Sequence, residues 1–181
     1  MRRPCNDLAM SSPPLGHALA EIERHVADEG WDQPPRLYAL APTGELAARE
    51  PELADQLGLD PDSSTPDQLT PVEQELPDRS LEDLLATITW PPTVVGCALA
   101  VERIVLPPDT EDAMPSEVAE AARWAAGHPE RSEVRLVVGV LRDGTRSSVL
   151  RVRGHDGDTD LVRDPELAPD LADALEATLA E

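Results

Sequence analysis

The spacing of apolar residues predicts a first helix near the start of the chain. Apolar side chains recur three or four positions apart, as on one face of a helix: Leu15, Ala18, Leu19, Ile22 and Val26. Pro13-Pro14 suits the first turn, and Gly30 ends the run. Residues 1–12 lack such a pattern, and we expect a disordered tail there, before a single domain over residues 13–181.

The clearest strand signal is a hairpin in the last third of the chain. Residues 133–153 form two β-rich runs joined by Asp143-Gly144, a dipeptide typical of tight hairpin turns. This predicts a two-residue type I′ turn, with Val138 opposite Val149. At least part of the sheet is therefore predicted to be antiparallel.

Three further strands are predicted upstream of the hairpin. Residues 93–106 form the longest apolar run, with apolar side chains on both faces, which is typical of a central strand. One face carries Ala98 and Ala100, which are small enough for a helix to pack closely. A short strand is predicted at residues 36–41, and an edge strand is predicted at residues 71–76.

The remaining helices are indicated by start and stop signals. Residues 43–57 look helical but are interrupted at Pro51, and Ser80 begins a capping box. Ser116 is predicted to cap a helix, and Pro165 or Pro169 to open the last one. The order predicts a two-layer α+β domain, with a mainly antiparallel sheet of four to five strands and helices mostly on one face.

The net charge of the chain disfavours some classes of binding partner. The chain has 36 acidic residues against 15 arginines, a formal charge of −21, which disfavours nucleic acid and anionic membrane surfaces. Residues 43–80 are predicted to form an acidic helical and loop insert. No run approaches the roughly 18 apolar residues of a membrane span. Cys5 and Cys97 suggest no disulfide framework, so we expect a cytoplasmic protein.

Candidate chemistry is sparse. The loop His155-Asp156-Gly157-Asp158-Thr159-Asp160 alternates carboxylates as a calcium loop does, but Leu161 and Leu167 occupy the positions of the required Gly and Glu. A solvated acidic turn is the better interpretation. Phosphate-binding loops, zinc spacings and a nucleophile elbow are missing from the sequence. We therefore predict no metal, no cofactor and no catalytic residue, and leave open whether the protein is an enzyme.

The hairpin concentrates cations in an otherwise acidic chain: Arg135, Arg142, Arg146, Arg151 and Arg153. The predicted turn places Arg151 and Arg153 on one face and Arg135 and Arg146 on the other. One interpretation is that they pair with the chain's abundant acids. The other is that they form a docking edge for an acidic segment of a partner protein.

A second group of residues is predicted to line a pocket between the sheet and two tryptophan-containing connections: Trp31, Glu73, Glu75, Trp90, Arg103 and His128. If the chain binds a small molecule, or is an enzyme of unfamiliar type, the titratable members should converge within about 3 to 6 Å around one concave site. If they lie on separate surfaces, this hypothesis loses its basis.

Several stretches together resemble an uncharacterised family of actinobacterial proteins. They are WDQPPRLY at 31–38, LTPVEQ at 69–74, WP at 90–91, GCALAVERIVLPP at 96–108, HP at 128–129 and VRLVVGVLRDG at 134–144. The resemblance implies a cytoplasmic actinobacterial protein and supplies no activity. The order of elements also resembles the type III secretion chaperone-like fold: helix, three strands, helix, two strands, helix.

These observations favour a non-enzymatic protein-interaction domain of the cytoplasm, with a chaperone-like role as one form of it. A small-molecule-binding domain or unfamiliar enzyme is the alternative. Self-association through the free edge of the hairpin is a third hypothesis. Nucleic acid and membranes are not expected partners.

Overall fold

One open antiparallel sheet of six strands organises the described part of the chain, in the order β2-β1-β3-β4-β5-β6. The computed structural model describes residues 13–59 and 67–180. The strands are β1 Arg36–Pro42, β2 Leu69–Gln74, β3 Gly96–Val105, β4 Ser132–Leu141, β5 Arg146–Val152 and β6 Val162–Arg163. The predicted α+β class is confirmed, and the short β6 adds a sixth strand to the predicted four to five.

The helices largely follow the predicted pattern. They are α1 Pro13–Asp28, α2 Thr43–Arg49, α3 Pro51–Gln56, α4 Leu81–Thr87, α5 Val118–Gly127 and α6 Pro169–Leu179. The side chain of Ser80 accepts a hydrogen bond from Asp83 N at 3.2 Å, as the capping box predicted. Glu117 rather than Ser116 caps α5, because its carboxylate accepts from two backbone N–H groups of the first turn. Within the described residues, the helices lack the length and apolarity needed to cross a bilayer.

Helices cover both faces of the sheet. α1 packs on one face, where the buried cluster includes Ala98, Ala100 and Val137. α4 and α6 pack on the other face, over Leu99 and Val138. The prediction of two layers is therefore wrong, because α1 forms a third layer on the face opposite α4 and α6. The apolar residues on both faces of β3 were the signal for three layers, because a strand exposed on one face alternates with polar residues.

The hairpin turn differs from its prediction by one residue. Leu141 N donates to Thr145 O at 2.9 Å and Gly144 N donates to Leu141 O at 3.0 Å. Gly144 has φ of +86°, so the loop is a type I turn followed by a left-handed residue. Val137 consequently pairs with Val149, and Val138 with Ser148. Such a shift turns every side chain of β5 to the other face.

The predicted acidic insert is joined to the sheet. It contains α2, α3 and β2, and β2 pairs with β1 along its whole length. Thr43 N donates to Gln68 O at 2.9 Å, and the buried hydroxyls of Thr43 and Thr70 lie 2.8 Å apart. The predicted edge strand is thus confirmed, although it runs over Leu69–Gln74 rather than residues 71–76. The domain boundaries stay a prediction, and the proposed tail at 1–12 lies outside the described residues.

The close packing of α1 on β4 predicts the effect of a methyl group at Gly139. A Cβ there would lie 2.6 Å from Leu19 Cδ2 and 3.1 Å from Leu15 Cδ1, both fully buried. We expect Gly139→Ala to lower the free energy of unfolding in urea by about 1–3 kcal/mol. The control is Gly44→Ala, whose Cβ meets nothing within 4 Å and which should be neutral or slightly stabilising. Equal stabilities would contradict this packing.

Candidate functional site

Two of the hairpin arginines lie beneath α1 and surround a buried carboxylate. Arg135 and Arg151 are direct cross-strand neighbours, and Glu23 of α1 is only 1% exposed. Arg151 donates from Nε to Glu23 Oε1 at 2.7 Å and from Nη2 to Oε2 at 3.0 Å, while Arg135 Nη1 lies 3.4 Å from Oε1. This bidentate geometry compensates the charge that burial would otherwise make costly.

The same cluster fixes the connection from α1 to β1. Arg135 also contacts Glu102 at 3.2 Å, and Glu102 Oε2 accepts the backbone N–H of Asp32 at 2.7 Å. Asp32 has φ of 66°, a left-handed conformation that is uncommon for residues other than glycine. The ring of Trp31 lies 4.4 Å from the guanidinium carbon of Arg135 and 5.5 Å from that of Arg153. Trp31 thus makes cation–π contacts with two arginines.

The other two hairpin arginines serve the opposite face. Arg142 donates to the carbonyl oxygens of Val94 at 2.8 Å and Leu179 at 2.7 Å, which joins the end of α6 to the loop before β3. Arg146 pairs with Glu176 and Asp173 of α6. All five guanidinium groups therefore have partners within the chain. Their role as a docking edge for an acidic partner stays a prediction.

Sequence reasoning missed Glu23 as the centre of this network. The signal was present, because Glu23 follows Leu19 by four positions and so falls on the apolar stripe of α1. An acidic side chain on the buried face of a helix needs a cationic side chain opposite it. The one-residue error in the hairpin register placed Arg135 and Arg151 on different faces and concealed that pairing.

The predicted pocket residues do not converge. Glu73 and Glu75 line one cleft of about 820 Å³, whereas Trp90 borders a cavity of about 370 Å³ beside α2. Arg103 lines a separate groove between α4 and α6. His128 follows α5, where its ring meets Trp124 edge-on at 5.0 Å between centroids. The convergence expected of a site built from these groups is therefore not observed.

An ion-pair cluster lies in the lining of the cleft of about 820 Å³. Arg36 binds Glu29 and Gln33, and its Nη1 lies 3.7 Å from Glu73 Oε1. The hydrogen bond from Arg36 lowers the pKa of Glu29, and the same bond raises the pKa of Arg36. Over residues 13–59 and 67–180, no group of three or more His, Cys, Asp or Glu is arranged to hold a metal ion.

Cys97 is buried rather than poised for reaction. Its Sγ lies 3.7 Å from Leu175 O and 3.6 Å from Thr178 Oγ1, beneath α6. Burial raises the pKa of the Cys97 thiol to about 11, although the hydrogen bond with Thr178 opposes that rise. The thiol is consequently protonated at neutral pH and lacks nucleophilic character.

α5 is the least packed helix of the described chain. None of its side chains is fully buried, although Ala121, Trp124 and Ala125 are half-buried, and it makes no extensive contact with another described helix or strand. The described residues contain six exposed large apolar side chains, and four of them lie in or beside the connection that carries α5: Ile104, Val105, Met114 and Val118. Sequence reasoning predicted this helix but not its lack of tertiary partners.

The outer edges of the sheet are partly protected. The bond from Thr43 N to Gln68 O sets the alternation along β2, so that Leu69, Pro71 and Glu73 direct their backbone groups outward. Pro71 has no N–H to offer at that edge. At the other side, β6 covers β5 at Val149 and Leu150. The hairpin edge considered for self-association is thus partly occupied, and self-association stays a prediction.

The buried carboxylate predicts a large difference between two neighbouring glutamates of α1. Glu23→Gln removes the charge shared by Arg135 and Arg151, and we expect it to lower the free energy of unfolding by about 3–5 kcal/mol. Glu21→Gln, at an exposed position of the same helix, should stay within about 0.5 kcal/mol. Urea unfolding measures both, and similar small losses would show that the network contributes little.

The elevated pKa of Cys97 predicts slow alkylation. In a Cys5→Ser background at pH 8, a thiol with its pKa near 11 rather than 9 carries about 100-fold less thiolate. We expect iodoacetamide to modify the folded protein at least about 100-fold more slowly than the same protein in concentrated urea. Equal rates in the two conditions would place Cys97 at an accessible surface.

Comparison with known proteins gives a family and no closer relative. No curated protein and no solved structure matches the chain. The family described as PPA1309-like protein matches residues 15–180, which spans every element from α1 to α6. This confirms the resemblance to an uncharacterised family, while the chaperone-like layout stays a prediction. The chain belongs to the PPA1309-like protein family.

Proposed function

We propose that the protein is a protein-interaction domain whose binding surface is the connection between β3 and β4. This segment, residues 106–131, is called the α5 arm. The single observation that carries the proposal is that α5 is amphipathic and yet has no fully buried side chain. Val118, Ala121, Ala122 and Ala125 lie at helical spacing and form one small apolar stripe.

The length of α5 supports a role in binding. A helix of ten residues is marginal in water unless tertiary packing stabilises it. Val118 is 83% exposed, and Met114 just before the helix is 46% exposed. A partner that covers the stripe would remove this apolar area from water and stabilise the helix at the same time.

The charge of the arm favours a basic partner. Its acids outnumber its two arginines, Arg123 and Arg131. The acidic residues of the arm are Asp109, Glu111, Asp112, Glu117, Glu120 and Glu130. Arg131 is itself 3.7 Å from Glu133. An apolar stripe with acidic flanks matches a basic amphipathic helix, and the net charge of −21 would steer such a segment toward the protein.

The proposal includes a cytoplasmic setting, for which the lack of a cysteine framework argues. A chaperone-like role is a narrower form of it, in which the α5 arm covers the apolar face of a basic segment until that segment reaches its final partner. Binding of a small molecule is a second candidate, which a cavity of about 510 Å³ between α1 and β2 favours.

A charge-matched pair of variants tests the proposal. The probe is an amphipathic 18-residue peptide of Leu and Lys, titrated into the full chain by calorimetry. Covering Val118 is worth about 1.5–3 kcal/mol, so Val118→Glu should weaken binding about 10- to 100-fold. Val162→Glu, with the same charge change at another exposed apolar residue, should leave the affinity unchanged.

Because Val118→Glu adds an acidic residue, it distinguishes docking on the apolar stripe of α5 from simple attraction between charges. If the acidic surface alone attracts the peptide, Val118→Glu will bind it at least as tightly as the unaltered chain. That result, or equal binding of a peptide with scrambled Leu and Lys positions, would contradict docking on α5. Sizing the free protein at several salt concentrations shows whether a second copy already covers the arm, which would also contradict the proposal.

A further inference from the structure

A cavity of about 370 Å³ lies between the sheet and the helices α2 and α3, away from the α5 arm. Strands β1 and β2 form its floor, α2 and α3 form its lid, and the chain just before β3 forms a side wall. The main apolar lining is Ala39, Ala41 and Val72 on the floor, Leu46 and Leu53 on the lid, and Trp90 on the wall. Its volume is within the range of small-molecule sites, which are mostly apolar.

The cavity exists because β1 presents two small side chains to it. Leu37 packs in the buried cluster beneath α4 and α6. Side chains two positions apart share one face of a strand, so Ala39 and Ala41 continue that face with only a methyl group each. The cross-strand partner of Ala39 is Val72, which is also small. A gap consequently remains between the floor and the lid.

Hydrogen bonds hold the aromatic wall in place. The indole Nε1 of Trp90 donates to Thr178 Oγ1 of α6 at 2.9 Å. Arg142 donates to the carbonyl oxygen of Trp90 at 3.1 Å and to that of Val94 at 2.8 Å. One of the hairpin arginines thus fixes this side of the cavity. A site whose walls are already in place loses less conformational entropy when a ligand binds.

The charged side chains that line the cavity are exposed to solvent. They belong to Glu45, Arg49 and Glu50, so none of them offers a buried charge to a ligand. The two carboxylates outnumber the guanidinium, which disfavours an anion. On the floor, Gln74 donates from Nε2 to the carbonyl oxygen of Val72 at 3.0 Å. The interior is therefore mainly apolar, with the indole of Trp90 as its aromatic side.

We infer that this cavity binds an uncharged aromatic molecule. The ring of the ligand would pack against the indole of Trp90, because a pair of aromatic rings gains more than the burial of its area. A charged group would lose its hydration without a buried partner of opposite charge. A saturated molecule of the same size would gain the apolar burial but not the contact between rings.

The probe is benzyl alcohol, titrated into the ¹⁵N-labelled full chain and followed at the indole N–H signals of the three tryptophans. We expect a saturable shift at Trp90, at millimolar concentration, and none at Trp31 or Trp124. A Trp90→Phe variant assigns the Trp90 signal. Equal shifts at the three indoles, or no saturable shift at Trp90, would overturn the inference.

Two substitutions fill the cavity from opposite sides. Ala41→Leu extends a side chain from the floor, and Leu53→Phe extends one from the lid. We expect both variants to fold, as circular dichroism would show, and to bind benzyl alcohol at least about tenfold more weakly. Ala20→Leu, at a half-buried alanine of α1 on the other face of the sheet, should leave the affinity unchanged. Unchanged affinity in either folded filling variant would contradict binding in this cavity.

Three probes of similar size decide the class of ligand in the unaltered chain. Benzoate is an anion, benzylammonium is a cation, and cyclohexylmethanol lacks the aromatic ring. We expect the charged probes to bind at least about tenfold more weakly than benzyl alcohol, and cyclohexylmethanol about two- to tenfold more weakly. Equal or tighter binding of any of the three would overturn the assigned class. Val118→Glu should bind benzyl alcohol as the unaltered chain does, because the cavity is independent of the α5 arm.

Discussion

The carboxylate of Glu23, buried between two arginines, is the interaction on which the rest of the structure depends. A charge in this position is tolerated only with full compensation, and Arg135 and Arg151 provide it from adjacent strands. The requirement fixes α1 against the sheet and fixes the register of β4 with β5. Through Glu102 and Trp31 it also sets the path of the chain into β1.

The use of the hairpin arginines inside the fold also explains why the surface is acidic. The hairpin cations are used within the fold, where they hold α1 on one face and α6 on the other. The outside is left acidic, and its exposed apolar side chains are concentrated near α5. A partner surface of opposite charge and matching apolarity is the natural complement of this arrangement.

Much of the fold was predictable from periodicity, and the site was not. Local sequence patterns correctly predicted three elements of the structure: α1, the central strand β3 and the edge strand β2. The hairpin register was not predicted correctly, because Asp143-Gly144 is compatible with both a two-residue and a three-residue loop. The valines and leucines of β4 are buried on both faces, so they do not distinguish the two registers.

Interstrand nuclear Overhauser effects in the hairpin test the central claim most directly. The observed register makes Val138–Ser148 and Leu136–Leu150 non-hydrogen-bonded pairs, whose α-hydrogens come closest. Strong Hα–Hα effects between these pairs would place Arg135 beside Arg151 under Glu23. Strong Hα–Hα effects between Gly139 and Ser148 instead, as the register of a two-residue turn requires, would separate the two arginines onto opposite faces and contradict the account.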